Sequence, residues 1–140
     1  MNTAVVDASV AAKWFLEELD TDLSRRLLGS GMALHAPEHL LLEVDNILCK
    51  RLRRREMSSE AADIVRRSVR AMPLKLHPVR GLLDSAYLIA RETKCSVYDG
   101  LCLALAVALN AKMVSDDLRL LRNLAGGPVA QYALWVGDVP

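Results

Sequence analysis

Apolar residues fall along this chain in short β-branched runs separated by longer stretches with apolar spacings of three and four, the alternation expected of strands and helices in turn. Residues 3–6 form such a run, and residues 8–16 behind it have helical composition. A polar helix is predicted over about residues 20–28, stopped by the Gly29, Ser30, Gly31 turn, and residues 32–35 read as a second strand. Pro37 suits the first turn of the next helix, whose Leu40, Leu41, Val44, Ile47, Leu48 and Leu52 make one buried face. Ser58 or Ser59 can cap a helix that continues to about Ala71, Pro73 closes it, and residues 74–77 form a strand. Further helices are predicted over about residues 79–92, 96–110 and 118–124, with strands at 113–115 and 132–136. Strands separated by helices throughout predict a three-layer α/β fold, a central, mostly parallel sheet flanked by helices.

With 140 residues and 52% apolar positions, the chain is expected to form a single domain over 1–140 with a core that needs no staples. A net charge of +1 excludes a globally basic nucleic-acid coat protein, so any polyanion contact must come from a local patch. Cys49, Cys95 and Cys102 are odd in number and contain no C-x-x-C pair, which disfavours a disulfide framework and a zinc ribbon and fits a reducing cytosol. The start of the chain lacks a basic leader and carries Asp7 inside its apolar stretch, making a poor signal peptide. The longest apolar run is far short of a membrane span, so a cytoplasmic protein is expected.

The candidate chemistry lies in Asp7, Glu43, Asp99 and Asp117, which stand where apolar runs end or on helices. Each has an ordinary structural reading: Asp7 and Asp117 as helix N-caps, Ser96 with Asp99 as a capping box, Glu43 as a helix residue. Their joint placement points further, because parallel sheets collect ligands at the carboxyl ends of their strands. Carboxylates about 5 Å apart repel by about 3 kcal/mol per pair at an effective dielectric near 20, a cost that a divalent cation removes. From the residues alone, caps and a shared metal site both remain open.

The stretch VVDASVAAKWFLE, residues 5–17, resembles the opening of the PIN-domain nucleases, and more closely that of the toxin subunit of the VapBC toxin–antitoxin family. Pro37 with LLLEVDNIL, VYDGLCLALA from Val97, and MVSDDLRLLR from Met113 are similar to three further segments of that family, in the same order. The resemblance spans nearly the whole chain. It places the family's metal-binding, catalytic acids on Asp7, Glu43, Asp99 and Asp117, with Ser115, Asn46 and Asp116 in supporting positions. Asp116 competes with Asp117 for the fourth acid, and the spacing to Arg119 and Leu120 favours Asp117. Gly100 stands where the family usually has Ala, and Cys102 where an aromatic residue is common.

The resemblance implies an Mg²⁺-dependent endoribonuclease, with Mn²⁺ able to substitute, that hydrolyses RNA phosphodiesters as the toxin of a type II toxin–antitoxin system. It also implies a homodimer and a small VapB-type antitoxin. An acidic site does not attract a polyanion unaided. Lys50, Arg51, Arg53, Arg54 and Arg55, with Arg66, Arg67 and Arg70 on the next helix, form the candidate RNA-facing surface. Aromatic residues are only 4% of the chain, too few for a base-stacking platform. His35, Glu38 and His39 spell the H-x-x-E-H pattern of a zinc peptidase, but Pro37 places His35 on the preceding strand and spoils the shared helical face. The alternative function is a catalytically silent PIN-like module that binds RNA or protein.

Overall fold

The computed structural model describes residues 2–17 and 21–140. Five parallel strands, β1 (Thr3–Val6), β2 (Ala33–Pro37), β3 (Leu74–His77), β4 (Lys112–Ser115) and β5 (Ala133–Trp135), form one sheet in the order β3-β2-β1-β4-β5. Seven α-helices accompany it among the described residues: α1 (Ala8–Lys13), α2 (Thr21–Leu28), α3 (His39–Arg53), α4 (Ser59–Ala71), α5 (Leu83–Thr93), α6 (Val97–Leu109) and α7 (Leu118–Leu124). The sheet reverses its strand order between β1 and β4, the place where parallel sheets open a crevice at their carboxyl ends.

Burial on both faces explains why the central strands read as continuous apolar runs. Ala4, Val6, Leu34 and Val114 point to one side, where they pack with Val10 and Ala11 of α1, Val44 and Leu48 of α3 and Val65 and Val69 of α4. Val5 and Met113 point to the other side, against Leu103 and Ala106 of α6 and Leu120 and Leu124 of α7. Helix α5 covers α6 through Ala86, which meets Leu101 and Ala104. The result is the expected three-layer α/β arrangement. No helix among the described residues is long and apolar enough to cross a membrane.

Several boundaries differ from the sequence expectation. Helix α1 ends at Lys13 instead of Leu16, because Trp14 turns inward and its indole N–H donates to the carbonyl of Ser24 at 2.8 Å. Residue 20, the expected start of α2, lies outside the described residues, and α2 is described from Thr21. Pro37 closes β2 instead of opening a helix; it lies opposite His77, and α3 begins at His39. The helix expected from residue 79 opens as a 3-10 turn at Arg80–Leu82 before α5. Of the two candidate caps for α4, Ser58 serves, accepting the N–H of Ala61 at 3.1 Å.

Candidate metal centre

Asp7 follows β1 and Asp117 follows β4, so two neighbouring strands deliver the two acids to one end of the sheet. Both are N-caps: Oδ1 of Asp7 accepts the N–H of Val10 at 2.9 Å, and Oδ1 of Asp117 accepts the N–H of Leu120 at 3.0 Å. Asp99 stands in the first turn of α6, its own N–H held by the Ser96 hydroxyl at 3.0 Å. Capping therefore does not preclude ligation. At Asp7 and Asp117 the cap fixes one carboxylate oxygen and so aims the side chain, while the second oxygen takes no part in the cap.

Asp7, Glu43, Asp99 and Asp117 line one cleft of about 120 Å³, together with Ala8, Ser9, Ile47, Tyr98 and Cys102. Burial pushes the Asp7 carboxyl up to about 7, with the neighbouring Asp116 charge adding to the rise and the Val10 N–H and the Ser115 and Ser9 hydroxyls opposing it. Burial likewise raises Asp99, and the negative charges of Glu43 and Asp117 raise it further. The Cys102 thiol is pushed well up by burial and by Asp7, Glu43 and Asp99 around it. Glu43 and Asp117 are thus near enough to Asp99 to oppose its ionisation. Among the described residues no three of them converge on a ready chelating point, so binding an ion requires side-chain rotation toward the cleft. The carboxylate oxygens fit a hard divalent cation such as Mg²⁺ or Mn²⁺, while the Cys102 thiol beside them is kept protonated by burial and so is a poor ligand.

The supporting residues divide. Ser115 is fully buried, and its hydroxyl accepts the N–H of Asp117 at 3.1 Å while stabilising Asp7. Asp116 turns away to an ion pair with Lys13 and lies 2.9 Å from the hydroxyl of Ser9, so Asp117 is the acid of this pair that faces the cleft. Asn46 is exposed and does not line the cleft; Ile47 does. Four residues on from Glu43 return to nearly the same helix face, whereas three fall short of it, and the cleft lies on the far side of that difference.

The basic surface also divides. Arg66 and Arg70 of α4 reach back to Asp45 of α3, at 2.9 Å and 3.2 Å, tying the two helices together. Although burial pushes Asp45 upward, those two arginines hold its carboxyl below the usual range. Lys50, Arg53, Arg54, Arg55 and Arg67 are exposed, and Arg51 is half-buried. His35 and His39 do not share a site: His35 Nδ1 lies 2.8 Å from His77 Nε2, while His39 sits beside Glu43. His39 and Tyr98 carry no local cue to the acid cleft, because they meet only where the fold brings α3 and α6 together.

The family model for the PIN domain matches residues 4–126. Ribonuclease VapC3 of Pyrobaculum aerophilum is 28% identical over 83% of this chain and 90% of its own length. Ribonuclease VapC9 of Mycobacterium tuberculosis is 32% identical over 83% of this chain and 87% of its own length. Among solved structures, a toxin–antitoxin complex from Klebsiella pneumoniae superposes with a TM-score of 0.66 at 11% identity, covering 94% of this chain and 96% of that one. A Pyrobaculum aerophilum protein superposes with a TM-score of 0.69 at 21% identity, over 89% of this chain and 81% of that one. At those identities the structural likeness shows the fold. The matched family model and the sequence relatives go further, and the chain belongs to the PIN-domain family, with its likeness to the VapC type.

Proposed function

We propose that this protein is an Mg²⁺-dependent endoribonuclease and the toxin component of a type II toxin–antitoxin system. The observation that carries the reading is the gathering of Asp7, Glu43, Asp99 and Asp117, drawn from across the chain, around one small cleft at the switch point of the sheet. The ribonuclease names of the VapC relatives support the same substrate class. When bound, Mg²⁺ or Mn²⁺ supplies water activation and neutralises charge developing on the phosphate.

The protein's own part is to hold the four carboxylates as ligands. Asp7 and Asp117 are aimed by their caps, Ser9 and Ser115 steady Asp7, and Asp99 is set by the Ser96 turn. Exposed Lys50, Arg53, Arg54 and Arg55 at the far end of the helix that carries Glu43, with Arg67 on α4, offer the RNA phosphates a landing surface outside an otherwise repulsive cleft. The solved toxin–antitoxin neighbour supports a small antitoxin as partner, while a homodimer rests on the family resemblance alone. The acids' lack of a ready chelating point favours the rival reading, a silent RNA- or protein-binding module.

Labelled RNA incubated with the protein and Mg²⁺, Mn²⁺ or EDTA separates the two, alongside folded Asp7→Asn and Asp99→Asn variants. Metal-dependent cutting lost in both variants is expected. Absence of cutting together with no calorimetric Mn²⁺ binding would leave the silent module.

A further inference from the structure

We propose that His39 is a positioning residue of the acid cleft, holding one oxygen of Glu43 so that the other is presented to the site; this rests on the metal-site reading above. His39 opens α3 one turn before Glu43, and its Nε2 lies 2.6 Å from Oε1 of that carboxylate. The histidine is the covered member of the pair, its side chain 8% exposed against 37% for Glu43. Both ring nitrogens are buried without an aligned hydrogen bond, so the Glu43 contact has the separation of a hydrogen bond but not its direction.

Burying an imidazole with no aligned partner is unfavourable, and no structural duty accounts for it here. The N-cap of α3 is Glu38, and the His39 ring makes no hydrogen bond that holds the start of the helix. Rotating Glu43 toward the cleft, the motion that ion binding requires, can bring Oε1 onto the Nε2–H direction and satisfy the ring. On its other side the ring meets Tyr98 at a centroid distance of 5.8 Å and a tilt of 31°. Tyr98 lines the cleft and directly precedes Asp99. His39 therefore spans the two helices that carry Glu43 and Asp99, and it fixes the first relative to the second. Partners that orient a metal-binding side chain typically change metal affinity 10–100-fold when removed.

The test is Mn²⁺ binding to the metal-free protein by calorimetry, with His39→Phe, which keeps the ring contact to Tyr98, and His39→Gln, which keeps an N–H donor. The expected result is an Mn²⁺ dissociation constant about tenfold higher or more for the Phe variant, recovered to within about threefold by Gln, with unchanged unfolding midpoints. Equal binding by wild type and Phe variant, or equal losses for Phe and Gln, overturns the positioning role while leaving the metal site standing. No binding by the wild type overturns both. In the wild type itself, the His39 imidazole nitrogen signals should shift during an Mg²⁺ titration; signals that stay fixed while the metal binds also overturn the proposal, whether or not either variant folds.

Discussion

Lys13 and Asp116, far apart in the chain, form an ion pair in which both side chains are largely covered, 13% and 7% exposed. The Ser9 hydroxyl lies 2.9 Å from Asp116 and 3.0 Å from Asp7, so this pair is the neighbour of the acid cleft. It withdraws Asp116 from the cleft and leaves Asp117 as the acid on show. Removing the lysine leaves a covered carboxylate unpaired beside Asp7. Lys13→Met is expected to cost about 3 kcal/mol in urea unfolding. Adding Asp116→Asn should recover part of it, and a loss below about 1 kcal/mol for Lys13→Met alone would mean that water screens the pair.

Asp7 is retained at a cost to the metal-free fold. An acid raised from 3.8 to about 7 stays protonated in the folded protein over a range where the unfolded chain has released its proton. Stability contributed by that proton is lost as pH rises from about 4 through 7, and the loss is complete above that window. The shift corresponds to about 4 kcal/mol, which relaxation and water entry reduce. Asp7→Asn keeps a side-chain oxygen for the Val10 N–H, and in metal-free protein at pH 8 it should be about 2 kcal/mol more stable than wild type. The gap should shrink toward pH 5. A variant less stable than wild type at pH 8 would show that the ionised carboxylate is well accommodated without an ion.

Gly100 marks where α5 and α6 come closest. A Cβ built there would stand 2.5 Å from the carbonyl oxygen of Ala86, 3.2 Å from its carbon and 3.3 Å from its Cα. Backbone atoms cannot swing aside as a long side chain can. Gly100→Ala is therefore expected to destabilise the protein by about 2 kcal/mol in urea despite the better helix propensity of alanine. Because Asp99 is the preceding residue, Mn²⁺ affinity should fall as well; a neutral or stabilising result would mean that the two helices separate freely.

The sequence carried the order and kind of the elements because a parallel sheet buried on both faces writes its strands as unbroken apolar runs, as at Ala4, Val5 and Val6. The helix-start roles of Asp7, Asp99 and Asp117 were legible because they are local, and for the same reason they left a cap and a shared metal site equally open until the resemblance favoured the second. What was not legible depends on chain segments far apart. Helical spacing alone sets Asp45 on another face from Glu43, but its partners Arg66 and Arg70 come from α4 and carry no local signal. Pro37 looks like a helix start until β3 lays His77 opposite it. His39 looks like half of a zinc motif until Glu43 and Tyr98 surround it.

His35 and His77 bind edge strand β3 to β2, their rings stacked at 5.1 Å with nitrogens 2.8 Å apart. Burial, the His77 ring and Lys75 on the same edge strand all hold His35 below its ordinary 6.5. Between the lowered folded value and 6.5 the unfolded chain binds more protons, so stability should rise with pH through that window and level off above it. Urea midpoints from pH 5 to 7.5 should show this rise in the wild type and a flatter profile in His35→Gln. Parallel profiles would remove the histidine pair as the cause.

Arg53 and Arg54 are exposed at the end of α3, where Arg53 is the last helical residue and Arg54 the cap. Arg66 and Arg70 are already engaged by Asp45, so these two are better placed to meet a phosphate chain. Each phosphate neutralised on single-stranded RNA contributes about 0.7 to the slope of log affinity against log salt. Arg53→Ala with Arg54→Ala should therefore weaken RNA binding and flatten that slope by about 1.4, while Mn²⁺ affinity stays at the wild-type value because neither residue lines the acid cleft. An unchanged slope would place the RNA on another surface, and a fall in Mn²⁺ affinity would mean that the end of α3 helps shape the site that Glu43 belongs to.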